Sequence, residues 1–151
     1  MKIFKRIIYP VIVTLTIQIL INSGCSEISQ GLQRKKFEFL YKMNNYASLF
    51  REYTGGISYP DDLDFYETRM NKMYEDVSKM EDITEYKASG RLKDKFLSVI
   101  QENIRTSDII RQKKLPPKEN IRSEYEVNKM NDRADIFIKD LNDEISKVGK
   151  E

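Results

Sequence analysis

The chain has 151 residues, with 26 lysines and arginines against 24 aspartates and glutamates, one cysteine and no histidine. The single cysteine excludes an internal disulfide, and the lack of histidine excludes the usual zinc, haem and histidine-assisted nucleophile sites. The formal net charge of +2 is not the basic excess that nucleic-acid binding requires. We therefore predict no cofactor and no nucleic-acid partner.

The first 25 residues are organised like a bacterial export signal. Lys2, Lys5 and Arg6 precede a mostly apolar run over residues 7–21. The run is shorter than the roughly 20 residues of a bilayer span and suits the apolar part of a secretory signal. Small residues then precede Cys25, as a cleavage site requires.

Ile21-Asn22-Ser23-Gly24-Cys25 resembles a bacterial lipobox, in which a cysteine after small residues receives a diacylglycerol group and becomes the first residue of the mature protein. Asn22 departs from the pattern, because an aliphatic residue usually stands there. The resemblance implies cleavage between Gly24 and Cys25, lipidation of Cys25, and anchoring to the extracytoplasmic face of a bacterial cell membrane. The alternative is an uncleaved amino-terminal helix that acts as a signal anchor, with Cys25 unmodified.

Cleavage after Gly24 changes the charge of the chain. The removed segment contains three basic and no acidic residues, so 23 basic and 24 acidic residues remain. Attachment would then depend on acyl chains, two of which suffice for stable anchoring. We divide the chain into a signal peptide at 1–24, a lipidated cysteine with a short tether at 25–31, and a helical domain at 32–151, held close to the membrane.

Four segments of the remaining chain carry apolar residues at helical spacing. The first covers about residues 28–53, and the third begins near 89–90 and ends before Pro116. The second steps by three and four residues along Leu63, Tyr66, Met70, Met73, Val77 and Met80. The fourth does so along Val127, Met130, Ala134, Phe137, Leu141, Ile145 and Val148. No segment alternates with a period of two residues for long enough to be a strand.

These patterns predict an all-α protein, an antiparallel bundle of about four helices in up-down-up-down order. The break between the second and third helices is predicted at residues 88–90, Ala-Ser-Gly. One glycine costs only about 1 kcal/mol inside a helix, so one long helix and a three-helix arrangement are the alternative. A break near 82–84, with Thr84 capping the third helix, is a second alternative.

Carboxylates are the remaining candidates for catalysis or metal binding, and each group has a structural explanation. Four acidic residues over 61–67 stand where acids complement the free amide groups of a helix start, and no glycine marks a calcium loop. The acidic sets at 81–85 and 140–144 are interleaved with lysines, which is typical of a solvated helix face. We predict no metal site and no catalytic residue.

The connection between the first and second helices is the candidate partner-binding loop. It reads YTGGISYP from Tyr53 to Pro60, with Tyr53 and Tyr59 on either side of the flexible pair Gly55-Gly56. Tyrosine provides a large contact area at low conformational cost, and loops often carry function. A plain turn whose rings pack onto the end of the bundle is the alternative.

The sequence thus predicts a membrane-anchored bacterial lipoprotein that binds a partner, either an envelope protein or the cell wall, and is not an enzyme. The first alternative is an envelope enzyme that uses carboxylates in a cleft between helices, which requires acids converging in a concave pocket. The second is a structural protein that associates with itself if the second and third segments form one long helix.

Replacement of Cys25 by serine tests the lipid anchor. Because the thioether forms on the cysteine sulfur, Cys25→Ser should leave the precursor unprocessed or release the protein from membranes. Detergent partitioning and intact-mass measurement check this, with Ser26→Ala as the control that retains the lipobox. Unchanged partitioning of Cys25→Ser, together with a wild-type mass that lacks acyl chains, would contradict the prediction.

Overall fold

Four α-helices make up the part of the chain that the computed structural model describes, residues 27–57, 62–112 and 120–150. They are α1 (Glu27–Gly55), α2 (Asp62–Ser78), α3 (Ala88–Gln112) and α4 (Asn120–Val148). These ranges contain no strand, and the all-α prediction is confirmed. None of the four helices has the length and apolar character of a membrane span.

Contacts between neighbouring helices show that α2, α3 and α4 run antiparallel. Asp64, near the start of α2, contacts Arg111 near the end of α3. Tyr74, near the end of α2, contacts Gln101, which lies earlier in α3. From the start of α3 to its end, the α3–α4 contacts are Arg91 with Glu144, Lys95 with Asp140 and Glu102 with Arg133. In both pairs of helices, a residue later in one helix contacts a residue earlier in the other, as antiparallel packing requires.

Helix α4 also packs against α1 and closes the bundle. Arg51, near the end of α1, pairs with Asp135 at 2.5 Å and donates to the Asn131 amide oxygen at 2.7 Å. Lys36, near the start of α1, lies over the Tyr86 ring at 5.6 Å. The chain therefore runs up-down-up-down, and the start of α1 and the 79–87 connection share one end of the bundle.

The connection between α2 and α3 covers residues 79–87, so the single long helix is wrong. Helix α3 begins at Ala88, close to the predicted start near 89–90, but the break lies before the predicted residues 88–90. Ser89 lies in the first turn of α3, where its hydroxyl accepts from the Ile83 amide and donates to the Tyr86 carbonyl, both at 2.8 Å. A serine hydroxyl that binds nearby backbone groups in this way competes with helix hydrogen bonds. The earlier alternative located the break correctly, but Ser89 rather than Thr84 closes it.

Helix α1 begins at Glu27, within the segment that was expected to be a tether. Residues 27–31 are helical, because one glycine at position 31 is too weak a breaker to stop a helix that continues for 29 residues. A Cβ added at Gly31 would meet nothing within 4 Å, so no close contact there depends on glycine. The described part of the chain is thus helical from Glu27, and Cys25 lies outside the described residues.

The predicted apolar stripes meet in one core, and Phe96 of α3 is in its middle. The Phe96 ring stacks on Phe137 of α4 with centroids 4.4 Å apart, and meets the Phe50 ring of α1 edge-on at 5.5 Å. All three side chains are completely buried. Helix α2 adds Leu63, Tyr66, Met70, Met73 and Val77.

Truncation of Phe96 tests this arrangement. Because Phe96→Ala leaves a cavity shared by three helices, we expect it to lower the free energy of unfolding by about 3–5 kcal/mol. Phe65→Ala removes the same side chain from a surface position and should cost less than about 1 kcal/mol. Urea unfolding of both variants measures the difference, and equal losses would mean that Phe96 is not at the centre of the core.

Candidate functional site

The end of α1 carries Tyr53, and the structure brings two residues of α2 to it. The half-buried Tyr53 ring meets the Phe65 ring edge-on at 6.4 Å. The Arg69 guanidinium carbon lies 5.7 Å from the centroid of the Tyr53 ring and 4.8 Å from that of Phe65. The Phe65 side chain remains 57% exposed. We call these three residues the Tyr53 cluster.

Only part of the predicted site is described. Tyr53, Gly55 and Gly56 lie at the end of α1, whereas Tyr59, Gly24 and Cys25 lie outside the described residues. Sequence reasoning missed Phe65 and Arg69 because neither belongs to the apolar stripe of α2. Their spacing of four residues was the available signal, since it places both on one face of a helix.

Gly55 belongs to α1 and is not part of a flexible turn. A Cβ at this position would lie 3.1 Å from Nη1 of Arg51, the atom that donates to Asn131. The glycine therefore leaves room for the arginine that joins α1 to α4. The helix ends at Gly55, and the amide of the following Gly56 donates to the Glu52 carbonyl at 3.0 Å.

Two buried hydroxyl groups, those of Thr54 and Tyr66, lie next to the Tyr53 cluster. Thr54 and Tyr66 follow Tyr53 and Phe65 in sequence, and their hydroxyl oxygens are 3.5 Å apart. The Thr54 hydroxyl also donates to the Phe50 carbonyl at 2.7 Å. Both side chains are at most 1% exposed. Helices α1 and α2 are thus joined by a polar contact just inside the Tyr53 cluster.

Further polar groups continue inward from Tyr66 into the contact between α3 and α4. The buried Asn103 side chain donates to the Met130 carbonyl at 3.1 Å and accepts from Arg133 at 3.1 Å. Arg133 also donates to the Thr106 hydroxyl at 2.9 Å. Burial raises the pKa of Tyr66 to about 12, against smaller opposing effects of hydrogen bonds from Thr54 and Asn103 and of the Arg133 charge. We call Thr54, Tyr66, Asn103, Thr106 and Arg133 the polar layer.

The acidic residues at the start of α2 are engaged by α3. Arg111 lies 2.6 Å from Asp64 and 2.9 Å from Glu67, and Ser107 donates to Glu67 at 2.7 Å. Asp62 and Asp64 are in the first turn of α2, as predicted. Within the described ranges, no group of three or more histidine, cysteine, aspartate or glutamate residues could hold a metal ion.

The acidic set at 140–144 lies only in part on the solvated face that its lysine spacing indicated, because Asp143 is exposed and Glu144 is not. Glu144 is buried and accepts from the Tyr86 hydroxyl at 3.1 Å, and its carboxylate lies 3.3 Å from Arg91. Asp140 pairs with Lys95. Glu144 therefore holds the 79–87 connection against α4, at the end of the bundle opposite the Tyr53 cluster.

An open cleft of about 1010 Å³ lies at that opposite end, between α1 and the 79–87 connection. Its apolar lining residues are Phe39, Tyr46, Met80 and Ile83, and its acidic ones are Glu38, Asp76, Glu81, Asp82 and Glu85. Burial and the nearby Asp76 charge raise the pKa of Tyr46. Sequence reasoning missed this cleft because its two walls are far apart along the chain.

The two ends of the bundle therefore differ in character. One end carries the Tyr53 cluster over the polar layer, and the other carries the mixed apolar and charged cleft beside the start of α1. Comparison of the chain with known protein families, curated proteins and solved structures finds no match.

The alkaline stability of the bundle tests the burial of Tyr66. Its hydroxyl should lose a proton with a pKa of about 10 in the unfolded chain and about 12 in the folded protein. Because the folded pKa is the higher one, this contribution to stability is complete below pH 10. It is lost as the pH rises toward 12, by about 2–3 kcal/mol.

Urea unfolding at pH 8 and pH 11 measures this loss. Tyr66→Phe has no proton to lose, so between these pH values it should lose about 1 kcal/mol less than the wild type. Tyr41→Phe, at a surface position of α1, is the matched control and should follow the wild type. If Tyr66→Phe also follows the wild type, the hydroxyl is not held in a buried environment.

Proposed function

We propose that the chain is a lipid-anchored protein of the bacterial cell envelope that binds a protein partner through the Tyr53 cluster. The anchor is Cys25, supported by the lipobox-like residues 21–25. The observation that carries the binding proposal is the Phe65 ring, which is 57% exposed although it lies beside Tyr53 and Arg69. A ring left open next to a phenol and a guanidinium is typical of the centre of a protein interface.

The chemistry of the cluster suits a partner with an apolar side chain next to a carboxylate. The Phe65 ring offers apolar area, and the Tyr53 hydroxyl can donate or accept a hydrogen bond. Arg69 is already held over two rings, so its guanidinium loses little further freedom when it pairs with a carboxylate. The polar layer beneath it stabilises the positions of Tyr53 and Phe65.

Helix α1 places this cluster far along the molecule from the anchor. It begins at Glu27, two residues after Cys25, and is continuous to Gly55. At a rise of 1.5 Å per residue, its 29 residues extend about 43 Å. Tyr53 would therefore lie about 40 Å along the helix from the lipid, while the cleft would be near the anchored end.

The alternative, an envelope enzyme with carboxylates in a cleft, would have to use the cleft beside α1. Two of its acids already contact cations: Glu38 lies 2.9 Å from Arg34, and Asp82 lies 2.6 Å from Lys93. These two carboxylates are thus engaged in ion pairs. We favour binding over catalysis because the exposed Phe65 ring of the Tyr53 cluster is the observation that points to a function.

Substitution of the cluster in the full-length chain tests the binding proposal. Phe65→Ala and Arg69→Ala should each lower the yield of a cross-linked partner from intact cells by roughly tenfold, because each removes an interface side chain of the kind that dominates affinity. Chemical cross-linking followed by pull-down and mass spectrometry measures the yield.

Ile109→Ala is the matched control, since Ile109 is also a large exposed apolar residue but lies on α3. It should leave the yield unchanged. If all three variants retain the wild-type yield, or all three lose it equally, the Tyr53 cluster is not the binding surface.

A further inference from the structure

The outward face of α4 carries a second regular stripe, separate from its core stripe. Its members are spaced by four, three, four, three, four and four residues and are exposed or half-exposed. They are Tyr125, Lys129, Asp132, Ile136, Lys139, Asp143 and Lys147. Such spacing places all seven on one side of a helix. We call this set the outer stripe.

The outer stripe contains unusually exposed apolar side chains. Tyr125 and Ile136 are each 57% exposed, a value that only Phe65 equals among the described large apolar residues. Both lie on one face of one helix, away from the Tyr53 cluster. Single exposed apolar residues are ordinary, so Tyr125 and Ile136 alone would not identify an interface. The charged residues of the outer stripe supply a second observation that points to an interface.

Three of these charges are not used within the described part of the bundle. Asp132, Lys139 and Asp143 form no ion pair inside the part of the chain that the structure describes. By contrast, the neighbouring acids Asp135 and Asp140 pair with residues of α1 and α3. The acids beside the stripe thus join α4 to α1 and α3. On the stripe itself, Lys129 and Lys147 contact Glu126 and Glu144 one turn earlier on α4, and the other three charges have no ion-pair partner in the described ranges.

The order of residues along the outer stripe is complementary to itself in the reverse direction. Lys129 and Asp143 lie seven residues before and after Ile136, so each is about 10 Å from it along the helix. Asp132 lies four residues before Ile136, and Lys139 lies three after it. If a second α4 is placed antiparallel to the first and centred on Ile136, Lys129 of one therefore lies opposite Asp143 of the other, and Asp132 lies opposite Lys139.

We propose that a second copy of this chain docks antiparallel on the outer stripe, with the two Ile136 side chains at a twofold axis. Lys129 then faces Asp143 of the second copy, Asp132 faces Lys139, and the Tyr125 ring faces Lys147. Each contact occurs twice, as twofold symmetry requires. A parallel arrangement in the same register would instead place like charges opposite each other. The charges select the orientation, and burial of Tyr125 and Ile136 supplies the affinity.

This association is independent of the proposed function, because it uses neither Cys25 nor the Tyr53 cluster. In the antiparallel pair, the start of α1 in one copy lies near the Tyr53 end of the other. Both lipid anchors can enter the same membrane when the helices lie along its surface. Two anchors on one assembly would strengthen its attachment relative to a single chain.

Cysteine cross-linking of the full-length chain in intact cells tests the twofold axis. In Ile136→Cys, the two introduced thiols face each other, so a short bismaleimide reagent should give a covalent dimer. Leu49→Cys on α1 is the matched control, since Leu49 is 41% exposed and lies off the outer stripe. We expect at least tenfold more dimer from position 136 than from position 49, and the wild-type chain reports any background from Cys25.

Charge reversal in the Ile136→Cys chain tests the orientation. Asp132→Lys places two lysines opposite each other and should lower the dimer yield several-fold, and addition of Lys139→Asp should restore it. Circular dichroism checks that these surface changes leave the helices intact. The proposal is overturned if positions 136 and 49 cross-link equally, if the double reversal gives no recovery, or if position 136 links only to other proteins.

Discussion

The contact of Phe96 with Phe50 and Phe137 joins three of the four helices at one point, and the rest of the bundle depends on it. Without a disulfide, the fold is held by burial of apolar area, and the stacked and edge-on rings bury the largest side chains in its middle. Helix α2 packs its own apolar stripe against this centre. The packing of these rings sets the positions of α1, α3 and α4 relative to one another, and with them the positions of the surface residues on these helices.

The polar layer adds a second constraint near one end of the core. Thr54, Tyr66 and Asn103 are buried, and each of them has a polar neighbour within the layer. A buried polar group costs free energy when it lacks a partner, so any other register of α1 against α2 would be penalised. The half-buried Tyr53 ring and the exposed Phe65 ring therefore belong to residues whose chain neighbours, Thr54 and Tyr66, have little freedom to shift.

Helix α4 shows how one element can serve the fold and an interface at once. One side of it buries Met130, Phe137 and other apolar residues, and its flanks pair with α1 and α3 through Asp135 and Asp140. The side that no other described helix covers carries Ile136 between Asp132 and Lys139, and neither of these two charges forms an ion pair in the described ranges. The Tyr53 cluster and the outer stripe thus occupy different parts of the described molecule, and the proposed partner binding and self-association need not compete.

The sequence by itself determined the helical class and the number of helices, because apolar spacing reports which face of each helix is buried. Local residue patterns also led to the prediction of a lipid anchor at Cys25 and of a partner-binding loop that contains Tyr53. Only the tertiary structure decided that Glu144 is buried and that Phe65 and Arg69 join Tyr53. These facts depend on contacts between residues distant in the chain, and the spacing within one helix carries no information about its neighbour.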